Sequence, residues 1–326
     1  MRNPARYFAR GLSLVELMVA LLIGALLIAG AVTVFLQSRN TYRANDTVSR
    51  MQEAGRYALD VIAPDVRLAG FWGLTNRPMS WTSTAAAVNK DCMANFAVNI
   101  GTPIEGRDAI ATGGSTQGYT DFTGCPVATL PLGKALTPVT WSDILIVRRA
   151  SADQAALENT RLQVQSNRES LVLFSDGVRP AGYTAPPQSE THNLITDLYY
   201  IGETTPAING VRQFALRRQT LVAGPRMDDV EIMPGIQDMQ VQFGLDTNGD
   251  GTVERYVNPG AALPAGARIA SVQLWLLVVA DEIEVGFADT NRAYTYANAT
   301  QTAAVFHDNR RRVLVTKTIQ IRNSVS

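Results

Sequence analysis

The stretch LSLVELMVALLIGALLIAGAVTVFL, from Leu12 to Leu36, decides the architecture of the whole chain. At 1.5 Å per residue, a helix of about 25 apolar residues crosses the roughly 30 Å hydrocarbon core of a bilayer. Arg2, Arg6 and Arg10 stand before it, with no acidic residue among them. That asymmetry predicts a cytoplasmic N-terminus, one pass through the membrane, and a remainder on its far side. A secretory signal peptide has a shorter apolar core that ends at a small-residue cleavage site. Here the apolar run continues straight into a further helical pattern. Its only charge is Glu16. A carboxylate inside a spanning helix costs on the order of 2.5–3.5 kcal/mol on insertion scales, so such a residue normally has a partner and a function.

Beyond the apolar run, Val48, Met51, Gly55, Ala58, Ile62, Val66 and Ala69 recur at steps of three and four. This spacing predicts that the helix continues through residues 37–70 as an amphipathic rod. Pro64 lacks an amide donor and should kink the helix or end it shortly afterwards, and Gly70-Phe71-Trp72-Gly73 marks the exit.

Short apolar runs separated by turn residues follow. Strands are expected at residues 143–148, 170–174, 197–201, 213–217, 239–243, 271–279 and 312–321, several alternating apolar with polar as in an antiparallel sheet with one buried face. Residues 71–195 read as a β-rich, loop-rich head region, most irregular over 75–140, and residues 196–326 as a second β-rich region. The fold class is α+β: one long helix packed on an antiparallel β-sheet head.

Lys+Arg 29 balances Asp+Glu 29, so no basic face favours nucleic acid as a partner. The two histidines, His192 and His307, read as surface loop residues rather than general bases, and the chain reads as no enzyme. Ala111-Thr112-Gly113-Gly114-Ser115-Thr116 lacks the lysine of a phosphate-binding loop. Arg310-Arg311-Arg312 reads as a solvated turn before the last strand, with contact to acidic lipid or DNA as the alternative. Cys92 and Cys125 would form a disulfide in an oxidising compartment, where closing a loop of about 34 residues stabilises by roughly 3–4 kcal/mol. Two buried thiols are the other reading.

Gly11-Leu12-Ser13-Leu14-Val15-Glu16, behind a basic leader and before an unbroken apolar helix, resembles a type III prepilin signal. The resemblance implies that prepilin peptidase cuts between Gly11 and Leu12, removing residues 1–11, and methylates the new amine. Leu12 stands where that family more often has Phe or Met. Glu16 becomes the fifth mature residue, and the amine of one subunit can pair with Glu16 of a neighbour. Leu198-Tyr199-Tyr200-Ile201, Leu216-Arg217-Arg218, the run from Met233 to Asp246, Val272 to Val279, and Arg310 through Asn323 resemble the PilW family of minor pilins. This implies a low-abundance subunit that helps start a type IV pilus, at its tip, with other minor pilins and the major pilin as partners. A pseudopilin of type II secretion shares the leader and Glu16. A signal-anchored periplasmic binding protein or hydrolase is the reading from another class.

Asp246-Thr247-Asn248-Gly249-Asp250-Gly251-Thr252-Val253-Glu254 matches the first nine positions of an EF-hand loop. Asp246, Asn248 and Asp250 would offer side-chain oxygens to Ca²⁺, Thr252 its carbonyl, and Glu254 a carboxylate directly or through water. Position twelve is Val257, so the bidentate glutamate is missing. The same residues also suit a plain Asn-Gly/Asp-Gly turn between strands.

Overall fold

The computed structural model describes residues 13–76, 78–85, 96–108, 142–203, 213–284, 287, 293–297, 299–302 and 309–323. Contacts divide the chain into two compact units, Met1–Arg50 and Met51–Ser326.

A single helix, α1 (Leu14–Arg67), begins in the first unit and ends in the second. It opens where Ser13 Oγ accepts the Glu16 amide at 3.2 Å, which satisfies one of the free N-terminal donors. In the first unit the large apolar side chains from Leu14 to Leu36 are exposed in the isolated chain, as a membrane span requires. Arg50 pairs with Asp46 one turn earlier, at 2.6 Å.

In the second unit the expected stripe is the buried one: Met51, Gly55, Ala58, Leu59, Ile62, Ala63 and Val66. The helix stops one turn after Pro64. Its last carbonyls are taken up by the far end of the chain, where the Arg322 amide donates to Arg67 O at 3.0 Å and Asn323 Nδ2 to Ala69 O at 3.3 Å.

The head holds two main sheets. The larger is built from β1 (Ser80–Ser83), β2 (Ile104–Arg107), β3 (Ile144–Ala150), β4 (Asn159–Ser166), β5 (Ser170–Asp176), β6 (Glu190–Glu203), β7 (Phe214–Val222) and β8 (Arg226–Pro234). Its order is β1-β5-β4-β6-β3-β2, with β7 also on β6 and β8 on β7. The smaller has order β10-β9-β11-β14, from β9 (Ile236–Asp246), β10 (Arg255–Val257), β11 (Arg268–Val279) and β14 (Arg312–Gln320). A short hairpin, β12 (Ala293–Tyr296) with β13 (Ala299–Thr302), packs Tyr294 and Tyr296 against Leu277 and Trp275. All seven expected strands are present, most of them longer than the apolar runs suggested. Pairing is antiparallel throughout the described sheets except for one correction: β1 runs parallel to β5.

The chain passes from one sheet to the other at Gly235, between the last residue of β8 and the first of β9. Its φ of +79° is a glycine conformation, and a Cβ there would lie 3.3 Å from Val279 O. This explains Met233-Pro234-Gly235-Ile236 as the corner of the head. The Ser142-Asp143 edge fastens the sheets together beyond the corner. Asp143 N donates to Met239 O at 2.8 Å, and Asp143 Oδ2 accepts the Val241 amide at 2.8 Å.

The larger sheet is buried on both faces at β6. Leu194 belongs to a cluster with Trp72, Ala97, Ile100, Ala150, Leu162 and Leu173 on one side. The alternate residues, Asp197 and Tyr199, face the end of α1 on the other.

Candidate functional site

The hairpin joining β9 to β10 carries the acidic loop. Its stem is set by register, since Arg255 pairs with Leu245 and Tyr256 with Gly244. Asp246 is buried at the end of β9, and both its oxygens face the loop: Oδ1 accepts the Gly249 amide at 2.6 Å and Oδ2 the Gly251 amide at 3.0 Å. Gly251, with a φ of +85°, makes the turn that brings these donors inward. Asp250 Oδ1 accepts the Thr252 amide and hydroxyl at 2.8 and 2.6 Å, which holds its carboxyl below the usual range. Glu254 Oε2 accepts the Thr247 amide at 2.7 Å.

The fold therefore gathers Asp246, Asp250 and Glu254, each offering an oxygen within 4.8 Å of the others. Oxygens that far apart can share one ion at Ca–O distances of about 2.3–2.6 Å, so the donor set fits a hard cation. Asn248 faces its own loop, its Oδ1 accepting the Asp250 amide at 2.9 Å and its Nδ2 donating to Asp250 Oδ2 at 3.0 Å. Thr252 is likewise tied to Asp250 through its hydroxyl. Val257 is a strand residue opposite Phe243 and adds no ligand.

In the first unit, Glu16 is the third residue of α1 and lies exposed on it. Ser13-Leu14-Val15-Glu16 also has the spelling of a capping box, of which the bond from the Glu16 amide to Ser13 Oγ is formed. Gly24 and Gly30 have nothing within 4 Å of a built Cβ. Gly11 and Leu12, Cys92 and Cys125, and His307 lie outside the described residues.

Two sequence expectations are corrected. His192 is no surface loop residue but a strand residue of β6, 2% exposed. Its Nδ1 lies 2.8 Å from Ser151 O, its Nε2 3.2 Å from Glu190 Oε2, and its ring meets Phe71 edge-on. The polar spelling Ser189-Glu190-Thr191-His192-Asn193 hid a strand whose polar side chains find partners inside. Nor is Arg310-Arg311-Arg312 a solvated turn. Arg310 and Arg312 are buried and donate to Gln213 Oε1 and Gln237 Oε1, both at 2.7 Å. Arg311 forks onto Glu284 and lies over Phe287, 4.5 Å from the ring centroid.

Asp65 was missed altogether. It sits on the buried stripe of α1 and binds Arg149 at 2.6 Å. A charged residue in phase with Ile62, Val66 and Ala69 was the available signal.

One helix that is apolar and then amphipathic, followed by a β-rich head, is a pilin-like α+β fold. Residues 198–323 match the family described as Type IV Pilus-assembly protein W, and residues 7–32 match the prokaryotic N-terminal methylation motif. These two matches support a type IV minor pilin with a prepilin signal. Among solved structures, the type IV-like pilin TTHA1219 from Thermus thermophilus is similar at 16% identity, over 59% of this chain and 83% of that chain, with a TM-score of 0.27. No curated protein matches the chain.

Proposed function

We propose that the protein is a minor pilin subunit that is held in the inner membrane by residues 12–36, with its head in the periplasm, before it enters a pilus. Prepilin peptidase removes residues 1–11 and methylates the Leu12 amine, and the subunit then helps initiate the type IV pilus, at its tip, with other minor pilins and the major pilin. The observation that carries this reading is the methylation motif at residues 7–32 overlapping the apolar first half of α1, whose one carboxylate is Glu16. The ammonium of a neighbouring subunit would relieve the burial cost of that carboxylate, and losing one partner of a buried pair costs about 3–5 kcal/mol. The pair then sets the register in which subunits stack. Mass spectrometry of the mature protein from cells with and without prepilin peptidase tests the reading. The expected product begins at N-methylated Leu12 only when the peptidase is present; Met1 retained in both strains overturns it.

Two further elements belong to this proposal. Ca²⁺ bound by Asp246, Asp250 and Glu254 would hold the β9–β10 hairpin rigid on the extracellular head. The gathering of three carboxylates supports this. A Cys92–Cys125 disulfide would tie the irregular part of the head once it reaches the periplasm.

A further inference from the structure

Where the apolar half of α1 ends, two arginines follow on the side of the helix that carries Phe35 and Leu36. Leu36, Arg39 and Arg43 are spaced by three and four residues, and Phe35, Arg39 and Tyr42 by four and three, so all five share one side. Phe35, Leu36 and Tyr42 are 65%, 50% and 74% exposed, and both arginines are exposed. The next carboxylate along the chain, Asp46, is held by Arg50 at 2.6 Å. Neither Arg39 nor Arg43 forms an ion pair among the described residues. Like charges one turn apart destabilise a helix, a repulsion that one shared anion turns into attraction.

Depth decides which anion can be shared. At 1.5 Å per residue, Arg39 stands about 4.5 Å and Arg43 about 10.5 Å beyond Leu36 along the helix. The headgroup layer on each side of a bilayer is about 5–7 Å thick. Helical side chains lean toward the N-terminus, here toward the bilayer, and a long arginine stem carries its charge further that way. Both guanidiniums therefore come level with lipid phosphates, and Tyr42 sits at the same interface, where its amphipathic ring is favoured.

We propose that Arg39 and Arg43 clamp the phosphate of an anionic phospholipid in the leaflet on the head side of the membrane. This rests on the membrane-held subunit described above. Guanidinium forks match phosphate oxygens in pairs. A zwitterionic headgroup brings its own cation to compete with them, so a net-negative headgroup is preferred. In a chain that begins at Leu12, Arg39 is the first basic residue. Loss of Arg2, Arg6 and Arg10 with the leader thus leaves this clamp as the basic group nearest the apolar run. The rod is then held from the head side, and its withdrawal into a filament releases the lipid.

Electron paramagnetic resonance of spin-labelled lipids in phosphatidylcholine vesicles holding the full chain tests the clamp. Wild type should immobilise labelled phosphatidylglycerol in preference to labelled phosphatidylcholine. Arg39→Gln/Arg43→Gln should lower that preference at least about twofold. Each arginine near an anionic surface supplies roughly fivefold, diluted by the other lipids around the helix. Arg39→Lys/Arg43→Lys, which keeps the charge, should retain most of the preference. Arg56→Gln/Arg168→Gln, which removes as much charge from the head unit, should leave it as in wild type. An unchanged preference in Arg39→Gln/Arg43→Gln, or an equal fall in the head pair, overturns the proposal. An unchanged preference together with poor entry into pili would assign the arginines to a neighbouring subunit's carboxylates instead. Should the double variant not insert, Arg43→Gln carries the test: a smaller fall supports the clamp, and none overturns it. The vesicles need no peptidase, so a chain that keeps Met1 in cells bears on processing and not on the clamp.

Discussion

Gly55 of α1 lies directly against Val315 of β14: a Cβ built on the glycine would sit 2.6 Å from Val315 Cγ2 and 3.0 Å from Val278 Cγ2. The helix therefore rests on the smaller sheet at a distance that only a missing side chain allows. Near this contact, Lys317 Nζ meets Asp60 at 2.5 Å and holds its carboxyl below the usual range. Asp65 makes the corresponding link to the larger sheet.

Gly55→Ala should destabilise the protein although alanine is the better helix former. The propensity gain is about 1 kcal/mol, while forcing a methyl into a packed interface costs about 1–3 kcal/mol. Gly55→Leu should cost more still. Chemical denaturation of both variants, with Gly30→Ala as a control whose added Cβ meets nothing within 4 Å, measures the balance. Equal or higher stability for Gly55→Ala would show that the helix can lift off without loss.

Asp238 supplies a pH dependence of its own. It is fully buried, accepts the Tyr296 hydroxyl and the Gln240 amide, and burial pushes its carboxyl up to about 6. A raised folded value means stability that is complete below about pH 3.9 and is lost as pH rises through about 6. Asp250 and Glu284 are held low and act with the opposite sign, but they are mostly exposed and should matter only in stronger acid. Urea midpoints between about pH 4 and 7 should therefore decline, and Asp238→Asn should flatten part of the decline. An identical profile in the variant would mean that Asp238 does not titrate there.

For the β9–β10 hairpin, titration calorimetry of the full chain in detergent should give Ca²⁺ binding in the extracellular class, about 10⁻⁴–10⁻³ M. The double variant Asp246→Ala/Asp250→Ala should show no heat of binding. Matching flat traces would leave the loop as a turn alone.

Glu16→Ala should enter the membrane and be cleaved as wild type, but it should be depleted from sheared pili relative to the membrane fraction. Ser13→Ala separates capping from pairing. It loses about 1 kcal/mol of helix-start stabilisation and keeps the carboxylate, so it should incorporate nearly normally. Normal incorporation of Glu16→Ala would remove the pairing model.

The features that were legible in the sequence are those with a one-dimensional period. The apolar run from Leu12 to Leu36, the stripe from Met51 to Ala69 and the seven apolar strands each announce themselves through neighbours along the chain. Among the strands that escaped notice, β4 spells buried positions with polar residues. In β4, Gln163 and Gln165 are fully buried, and they are satisfied by Ala156 O at 2.7 Å and Ser189 Oγ at 2.7 Å. No local pattern distinguishes such a glutamine from a surface one, because its partner comes from another segment of the chain.

The sequence by itself determined the long rod, its apolar half, the acid at its tip and the turn chemistry of Asp246 to Glu254. Covalent order and side-chain period suffice for these. Only the tertiary structure decided which charges are buried: Asp65 on Arg149, Asp197 within β6, Arg310 and Arg312 inside the head, and His192 within a strand. A buried charge is tolerable only when a partner lies within bonding distance, and that distance is set by how remote segments pack.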